Sequence, residues 1–502
     1  MLDIIREKSL FVGSVILCII FSAWGIISPE TLGGIAGLIT GAAFGSLSWF
    51  FMLSVTLMLL LALGLALSKY GTLRLGTKDE RPEFSTLSWL GMLFAAGMGV
   101  GLLFWGVAEP IIHFTSPPIA QSDAATAARK ALVQTNFHWG LHAWAIYAVS
   151  GLVLGYFGFR RSAPNLPGGP IRATFTGLWV KPVAGLADGI GIMAVALGVS
   201  GSLAMGIMQI YAGLQVIAGV PGDSMAITGA ILAVMTFAYM LSATTGLDKG
   251  IKWLSNINMV IAILLMVFIL VAGPTAFLLD SFVTSLGDYT SELVSISLRL
   301  FPFRNLGDWT SNWTLTYFFW WLAWAPFVGV FIARISRGRT IREYVLGVLL
   351  APTVFSILWF AIFGGTAIHE EMWGLGGIAE LVNEDVTIAV FSLFDRFPLS
   401  KLLGAVATLL IFIFLVTSAD SATFVLGMLT TNGNLNPPTI RKVIWGVILA
   451  AMAAAMLLTG NIHSLRAVVV SGAAPFIFII LLQMAALLRV LPGDYRRDRG
   501  ES

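Results

Sequence analysis

The chain of 502 residues is short of cysteine and of charge. Its single cysteine, Cys18, excludes an intrachain disulfide and a cysteine metal cluster. Asp, Glu, Lys and Arg together make only 11% of the residues, too few to clothe a soluble fold of this size. The net charge is +3 and the basic residues sit in short loops, so no nucleic-acid partner is implied. The phosphate-cradling GxxxxGKS or GxxxxGKT pattern does not occur, which argues against an ATP-driven motor in this chain. No low-complexity segment or linker sets off a soluble domain. The apolar runs hold few acids and show no paired-carboxylate site, so an enzyme is not expected. They also lack the repeated polar stripes of a channel pore.

What the sequence does have is apolar length. Hydrophobic residues make up 57% of it, in runs long enough to cross a bilayer. The expected class is an all-α polytopic membrane protein with twelve spans, near 10–28, 46–68, 87–112, 137–158, 184–215, 225–244, 251–279, 311–335, 343–367, 401–429, 440–459 and 466–490. The N-terminal run reads as a retained first helix and not as a cleaved signal. Lys69, Arg74, Lys78, Arg81, Arg160, Arg161, Arg334, Arg337, Arg339, Arg342, Arg441 and Lys442 fall in alternate loops. The excess of Lys and Arg on cytoplasmic loops then places both termini in the cytoplasm. Arg129, Lys130, Arg299 and Arg304 run against that pattern. Residues 292–301 fit an amphipathic helix on the outer surface. Within the outer loop 369–401, the apolar stretch 386–394 fits a re-entrant or capping helix.

The segment 95–110 reads AAGMGVGLLFWGVAEP and places Gly97, Gly99 and Gly101 at every second position. Each glycine weakens a helix by about 1 kcal/mol relative to alanine. The run therefore either opens the helix or lets a neighbouring helix pack closely. An opened backbone in lipid must line a cavity or be buried in protein.

Tryptophan is abundant, with 16 copies. Many such residues form interfacial belts, but two groups lie deep in spans. FHWGLHAWAIY carries Trp139, Trp144 and Tyr147, and YFFWWLAWAPF carries Trp320, Trp321 and Trp324. Trp144 and Tyr147 share a helix face, and Trp139 sits off it by about a third of a turn. Each group packs a core or holds a ligand. Several aromatic faces without a carboxylate suit a methylated ammonium ion, which cannot donate an N–H bond and gains about 0.5–2 kcal/mol per ring by cation–π contact.

In the tenth span Phe414, Thr417 and Ser418 share a face. Such hydroxyls bond back to the helix carbonyl four residues earlier, or, beside a broken helix, serve a hard cation such as Na⁺. Asp420 is the one acid deep in that span. His138 and His142 have metal-binding spacing, but no carboxylate or third histidine accompanies them in the sequence.

Segments 95–110 and 137–147, with GLDKGIKWLS (246–255), NWTLTYFFWWLAWAPFVGVFIARISRGRTIREY (312–344) and FLVTSADSATFVLG (414–427), together resemble the betaine–choline–carnitine transporter family. The resemblance spans nearly the whole chain and is most specific at 312–344. It implies a LeuT-type fold with two inverted five-helix repeats. Residues 1–86 would be two peripheral helices, 87–280 the first repeat and 281–310 a periplasmic amphipathic helix. Residues 311–490 would be the second repeat and 491–502 a short cytoplasmic tail. It also implies a homotrimer in membrane lipid, in the bacterial inner membrane.

By the same resemblance, Trp139, Trp144, Tyr147 and Trp321 look like an aromatic box around a quaternary ammonium, with Trp320 and Trp324 along the pathway. The backbone of Gly97, Met98, Gly99 and Gly101 would meet the substrate's polar end. A sodium ion would lie between the carbonyls of Ala95, Met98 and Phe414 and the side chains of Thr417 and Ser418. Proton-coupled choline carriers of the family tend to have Asp where this chain has Gly101. Threonines expected in the fifth span for a second sodium are Val195 and Val199 here, with Ser200 and Ser202 nearby. The short ends do not suggest the osmotic gating of members with long charged termini.

The expected function is sodium-coupled import of glycine betaine or a related methylated ammonium compound, with Na⁺ as coupling ion and no other cofactor. A sodium-independent carnitine/betaine-type exchanger and a choline/trimethylamine-type carrier are the alternatives.

Overall fold

A computed structural model describes residues 2–500 other than 98, 223, 246, 247 and 305, and gives the backbone only for 2–7, 94–97 and 248–253. The described residues are helical, with one isolated β-bridge between Arg74 and Thr340. Among them, eleven helical segments are long and apolar enough to cross a membrane. The chain is a multi-pass membrane protein. Apolar side chains cover its outside as well as its core. Leu60, Phe237, Leu264, Val447 and Phe478 all stand exposed on helix faces that only lipid would favour.

Helices α1 (Leu2–Ile27) and α2 (Pro29–Leu67) come first. The segment expected as a third span is two pieces, α3 (Thr86–Gly97) and α4 (Val100–Thr115), with Gly99 extended between them at φ −142° and ψ 175°. The fourth begins earlier than expected, as α5 (Ala124–Trp139), and continues as α6 (Leu141–Gly155). Asp123 caps α5 by accepting the Thr126 N–H. That bond, with the Ser122 and Thr126 hydroxyls, holds its carboxyl down at about 2.

Gly140 separates α5 from α6 for a steric reason. A Cβ there would lie 2.5 Å from the Asn136 carbonyl oxygen and 2.7 Å from the Tyr289 hydroxyl. The same hydroxyl accepts the Leu141 N–H at 2.9 Å. The short α7 (Gly169–Thr174) leads to the long α8 (Val180–Ala218), then α9 (Met225–Thr245) and α10 (Asp248–Ala272).

The amphipathic helix is longer than the sequence suggested. It is α11 (Thr275–Ser297), started by Pro274 and ended at Leu298, so 298–301 lie outside it. Its Asp288 and Glu292 take the guanidinium of Arg129 at 2.7 Å and the ammonium of Lys130 at 2.6 Å. Those two cations ran against the loop-charge pattern, and the carboxylates of α11 account for them.

A single turn, α12 (Gly307–Thr310), opens α13 (Thr316–Ile335), which packs along α6. Thr340 and Glu343 form a reciprocal cap on α14 (Ile341–Trp373). The apolar stretch 386–394 folds with α15 (Ile378–Glu384) into α16 (Ala389–Phe394), buried over α4 and α17 (Ser400–Leu429). Helices α18 (Thr439–Leu457), α19 (Ile462–Ala473) and α20 (Phe476–Arg499) complete the chain. α17 lies along α8, and α19 lies against α2, α8 and α13.

Candidate functional site

A cavity of about 1050 Å³ lies between α4, α6, α8, α13, α17 and α19. Gly99, Val100 and Gly101 form part of its wall, so the helix interruption borders open space. A Cβ on Gly99 would meet no atom within 4 Å, whereas one on Gly101 would meet the Trp139 ring at 2.8 Å. Gly101 is thus a close-packing glycine and Gly99 a bordering one. Ala95 and Gly97 belong to the last turn of α3 by backbone, and Met98 lies outside the described residues.

Every aromatic residue singled out in the sequence borders this cavity: Trp139, Trp144, Tyr147, Trp320, Trp321 and Trp324. The Trp139 and Trp321 rings meet edge to face with centroids 4.9 Å apart. Tyr147 meets Trp321 at 6.0 Å and Trp144 at 5.5 Å, again edge to face. Trp139 belongs to α5, and the turn at Gly140 sets its helix apart from the one carrying Trp144 and Tyr147. Trp320 points toward Gly201 of α8, and Trp324 packs on Phe327 at 5.4 Å. Tyr317 adds a ring that the sequence reading left unassigned. It stacks on Trp321 at 6.2 Å and on Trp313 at 6.3 Å.

The expectation that no carboxylate or third histidine accompanies His138 is overturned. Glu109, one turn before His113 on α4, is fully buried beside both histidines. Its Oε1 lies 2.5 Å from His138 Nδ1 and 3.3 Å from His113 Nε2, while its Oε2 accepts the Trp139 indole N–H at 2.8 Å. The three ligand-type atoms lie within 4.8 Å of one another. The 2.5 Å contact is a hydrogen-bond length, shorter than two ligands of one zinc ion leave between themselves. His142 takes no part, since its ring stacks on Phe318 at 5.8 Å. The His138 carbonyl accepts the Trp321 indole N–H at 2.8 Å. The Glu109–His138 unit therefore fixes both indoles of the edge-to-face pair. The spacing of four between Glu109 and His113 is the one local trace of this cluster in the sequence, and nothing local ties Glu109 to His138.

Phe414, Thr417 and Ser418 line the cavity with Asp420. The Thr417 hydroxyl donates within its own helix, to the carbonyls of Ile413 at 3.0 Å and Phe414 at 3.1 Å. Its oxygen lone pairs stay available to a cation, so this donor set, hard oxygens beside an interrupted helix, fits Na⁺ on the α17 side. On the fifth-span side Val195 is buried, Val199 and Ser202 line the cavity, and Ser200 donates to the Leu449 carbonyl at 3.2 Å. Arg466 of α19 also borders the cavity and was not anticipated. The lining also includes Phe84, Arg334 and Lys442.

Comparison with known proteins adds to this geometry. The model of the betaine/carnitine/choline family of transporters matches residues 9–496. The chain is 43% identical to the glycine betaine transporter OpuD of Bacillus subtilis (strain 168), over 94% of this chain and 92% of that protein. It is 42% identical to an ectoine/hydroxyectoine transporter of Virgibacillus pantothenticus, over 93% of each. A high-affinity choline transport protein of Escherichia coli (strain K12) is 38% identical over 90% of this chain and 67% of that protein.

Proposed function

The chain belongs to the betaine/carnitine/choline family of transporters, and from that premise we propose that it imports glycine betaine or a related methylated ammonium compound across the bacterial inner membrane. One observation carries this reading. Rings from three helices, Trp139, Tyr147 and Trp321, converge on one cavity beside the interrupted helix α3–α4. A methylated cation held there gains from each ring face without needing a hydrogen-bond acceptor. The backbone at Gly99 and Gly101 meets its polar end. Gly101 leaves no room for a side chain beside Trp139, which separates this site from one with an aspartate at that position and favours betaine over choline.

We further propose that import is coupled to Na⁺. The ion lies between the carbonyls of Ala95, Met98 and Phe414 and the hydroxyls of Thr417 and Ser418, bridging the two sides of the cavity. By linkage, Na⁺ and substrate then strengthen each other's binding by the same factor. The two bundles rock about this fixed site within two inverted five-helix repeats, in a homotrimer with both termini cytoplasmic. The cavity lining includes Arg334, in the last turn of α13, and Lys442, in the first turn of α18, both beside the basic loops, which supports an inward-facing state.

The test is uptake into proteoliposomes of labelled glycine betaine, ectoine, choline and carnitine, with and without an inward Na⁺ gradient. Accumulation of glycine betaine only with the gradient supports the proposal. Uptake indifferent to Na⁺ removes the coupling, and uptake of none of these compounds removes the substrate class.

A further inference from the structure

The aromatic cavity holds a buried cation with donors to spare. Arg466 sits one turn into α19 and is only 8% exposed. Its guanidinium lies 5.2 Å from the Trp105 ring, 5.3 Å from Trp313 and 5.7 Å from Tyr317. One of its N–H groups, on Nη2, donates to the Asn312 carbonyl at 2.7 Å. Among the described residues no carboxylate oxygen comes within 4.0 Å of it.

A guanidinium has five N–H donors and no acceptor. The three rings offset part of the cost of burying its charge but use ring faces, not hydrogen bonds. Glu109 acts on this charge through space, but its oxygens are engaged by His138, His113 and Trp139, so among the described residues the fork has no carboxylate in hydrogen-bond contact.

Its place in the cavity says which anion. The Tyr317 ring lies between Arg466 and the indole pair, at 5.7 Å from Trp139 and 6.2 Å from Trp321. Trp105, which touches the guanidinium, follows Gly101 by four residues and shares its face of α4. The ring faces that suit a methylated ammonium and the fork that suits a carboxylate are therefore one ring apart in one cavity.

We propose that Arg466 is the carboxylate subsite of this cavity and makes it selective for zwitterions over methylated ammonium alcohols. The inference rests on the methylated-ammonium reading and deepens it. The ammonium end is held by Trp139, Tyr147 and Trp321. The carboxylate end is held between the Gly99–Gly101 backbone and the free edge of Arg466. An alcohol such as choline fills the aromatic half and leaves the guanidinium unpaired.

The experiment measures binding of glycine betaine and of choline to the purified full chain by tryptophan fluorescence, in wild type, Arg466→Gln and Arg466→Lys. The proposal expects Arg466→Gln to weaken glycine betaine about tenfold or more, the size of a lost charge-assisted bond, with choline changed less than about twofold. Arg466→Lys, a point charge without the fork, recovers part of the betaine affinity. Should Arg466→Gln not fold, Arg466→Lys alone shows the same selective loss in smaller measure. Parallel weakening of betaine and choline, or unchanged betaine binding, overturns the subsite and leaves the ammonium site standing. A wild-type chain that binds neither compound overturns the ammonium reading and the subsite with it.

Discussion

The indole N–H of Trp139 donates to Oε2 of Glu109 at 2.8 Å, joining the aromatic wall of the cavity to the helix that follows the break. The same carboxylate holds His138, whose carbonyl holds Trp321. The pair of indoles is thus set by one buried acid. Glu109→Ala strands the Trp139 N–H and His138 Nδ1 in a dry interior, at about 1–3 kcal/mol for each unsatisfied group. The expected outcome is a lowered thermal unfolding midpoint in detergent, with a smaller loss for Glu109→Gln, which keeps an acceptor. An unchanged midpoint for Glu109→Ala would show that the network contributes nothing.

Gly101 faces the same ring from the other side. Its missing Cβ would stand 2.8 Å from Trp139 Cη2. Trp139 cannot retreat freely, because Glu109 holds its nitrogen and Trp321 its edge. Overpacking of this kind costs about 1–3 kcal/mol. Gly101→Ala is expected to raise the half-saturating betaine concentration about tenfold while the protein still folds. Betaine affinity equal to wild type would mean that the ring position is not part of the site.

Trp321 is the ring that Trp139, Tyr147 and Tyr317 all touch. Trp321→Ala removes a cation–π partner worth about 0.5–2 kcal/mol and loosens its three neighbours. Uptake should fall to a small fraction of wild type with expression and assembly retained, and Trp321→Phe should keep part of it. Normal transport by Trp321→Ala would remove the cation–π account.

Thr417→Ala deletes a hydroxyl from the cavity wall without altering the aromatic side. The proposed cation site expects a higher Na⁺ concentration for half-maximal uptake, with the same maximal rate at saturating Na⁺. A shift in betaine affinity at saturating Na⁺, with unchanged sodium dependence, would assign Thr417 to substrate instead.

The helical membrane class was legible because apolar length and loop charge are local properties of the sequence. The interrupted helix was only half legible: glycine at every second position left open a break or a close helix contact, and the structure has both, the break at Gly99 and the contact at Gly101. The gathering of Trp139, Tyr147 and Trp321 followed from resemblance, not from spacing. Helical periodicity alone set Trp139 off the face of Trp144 and Tyr147, and it is the turn at Gly140 that gives its helix a different course. Glu109 and Arg466 were missed for a different reason. A single acid or base in an apolar run shows no period, and its partners, His138 and the rings of Trp105, Trp313 and Tyr317, lie far along the chain. The length of α11 was underestimated because its carboxylates find Arg129 and Lys130 across the surface, outside any local window.

The central claim is that the cavity holds a methylated cation by charge, and one pair of ligands tests it. Glycine betaine and 3,3-dimethylbutanoate have the same shape and carboxylate and differ in the positive nitrogen. In proteoliposomes, unlabelled betaine should abolish uptake of labelled glycine betaine, and 3,3-dimethylbutanoate at the same concentration should leave it nearly intact. Equal competition by the two would contradict the account, because the rings would then be reading shape and not charge.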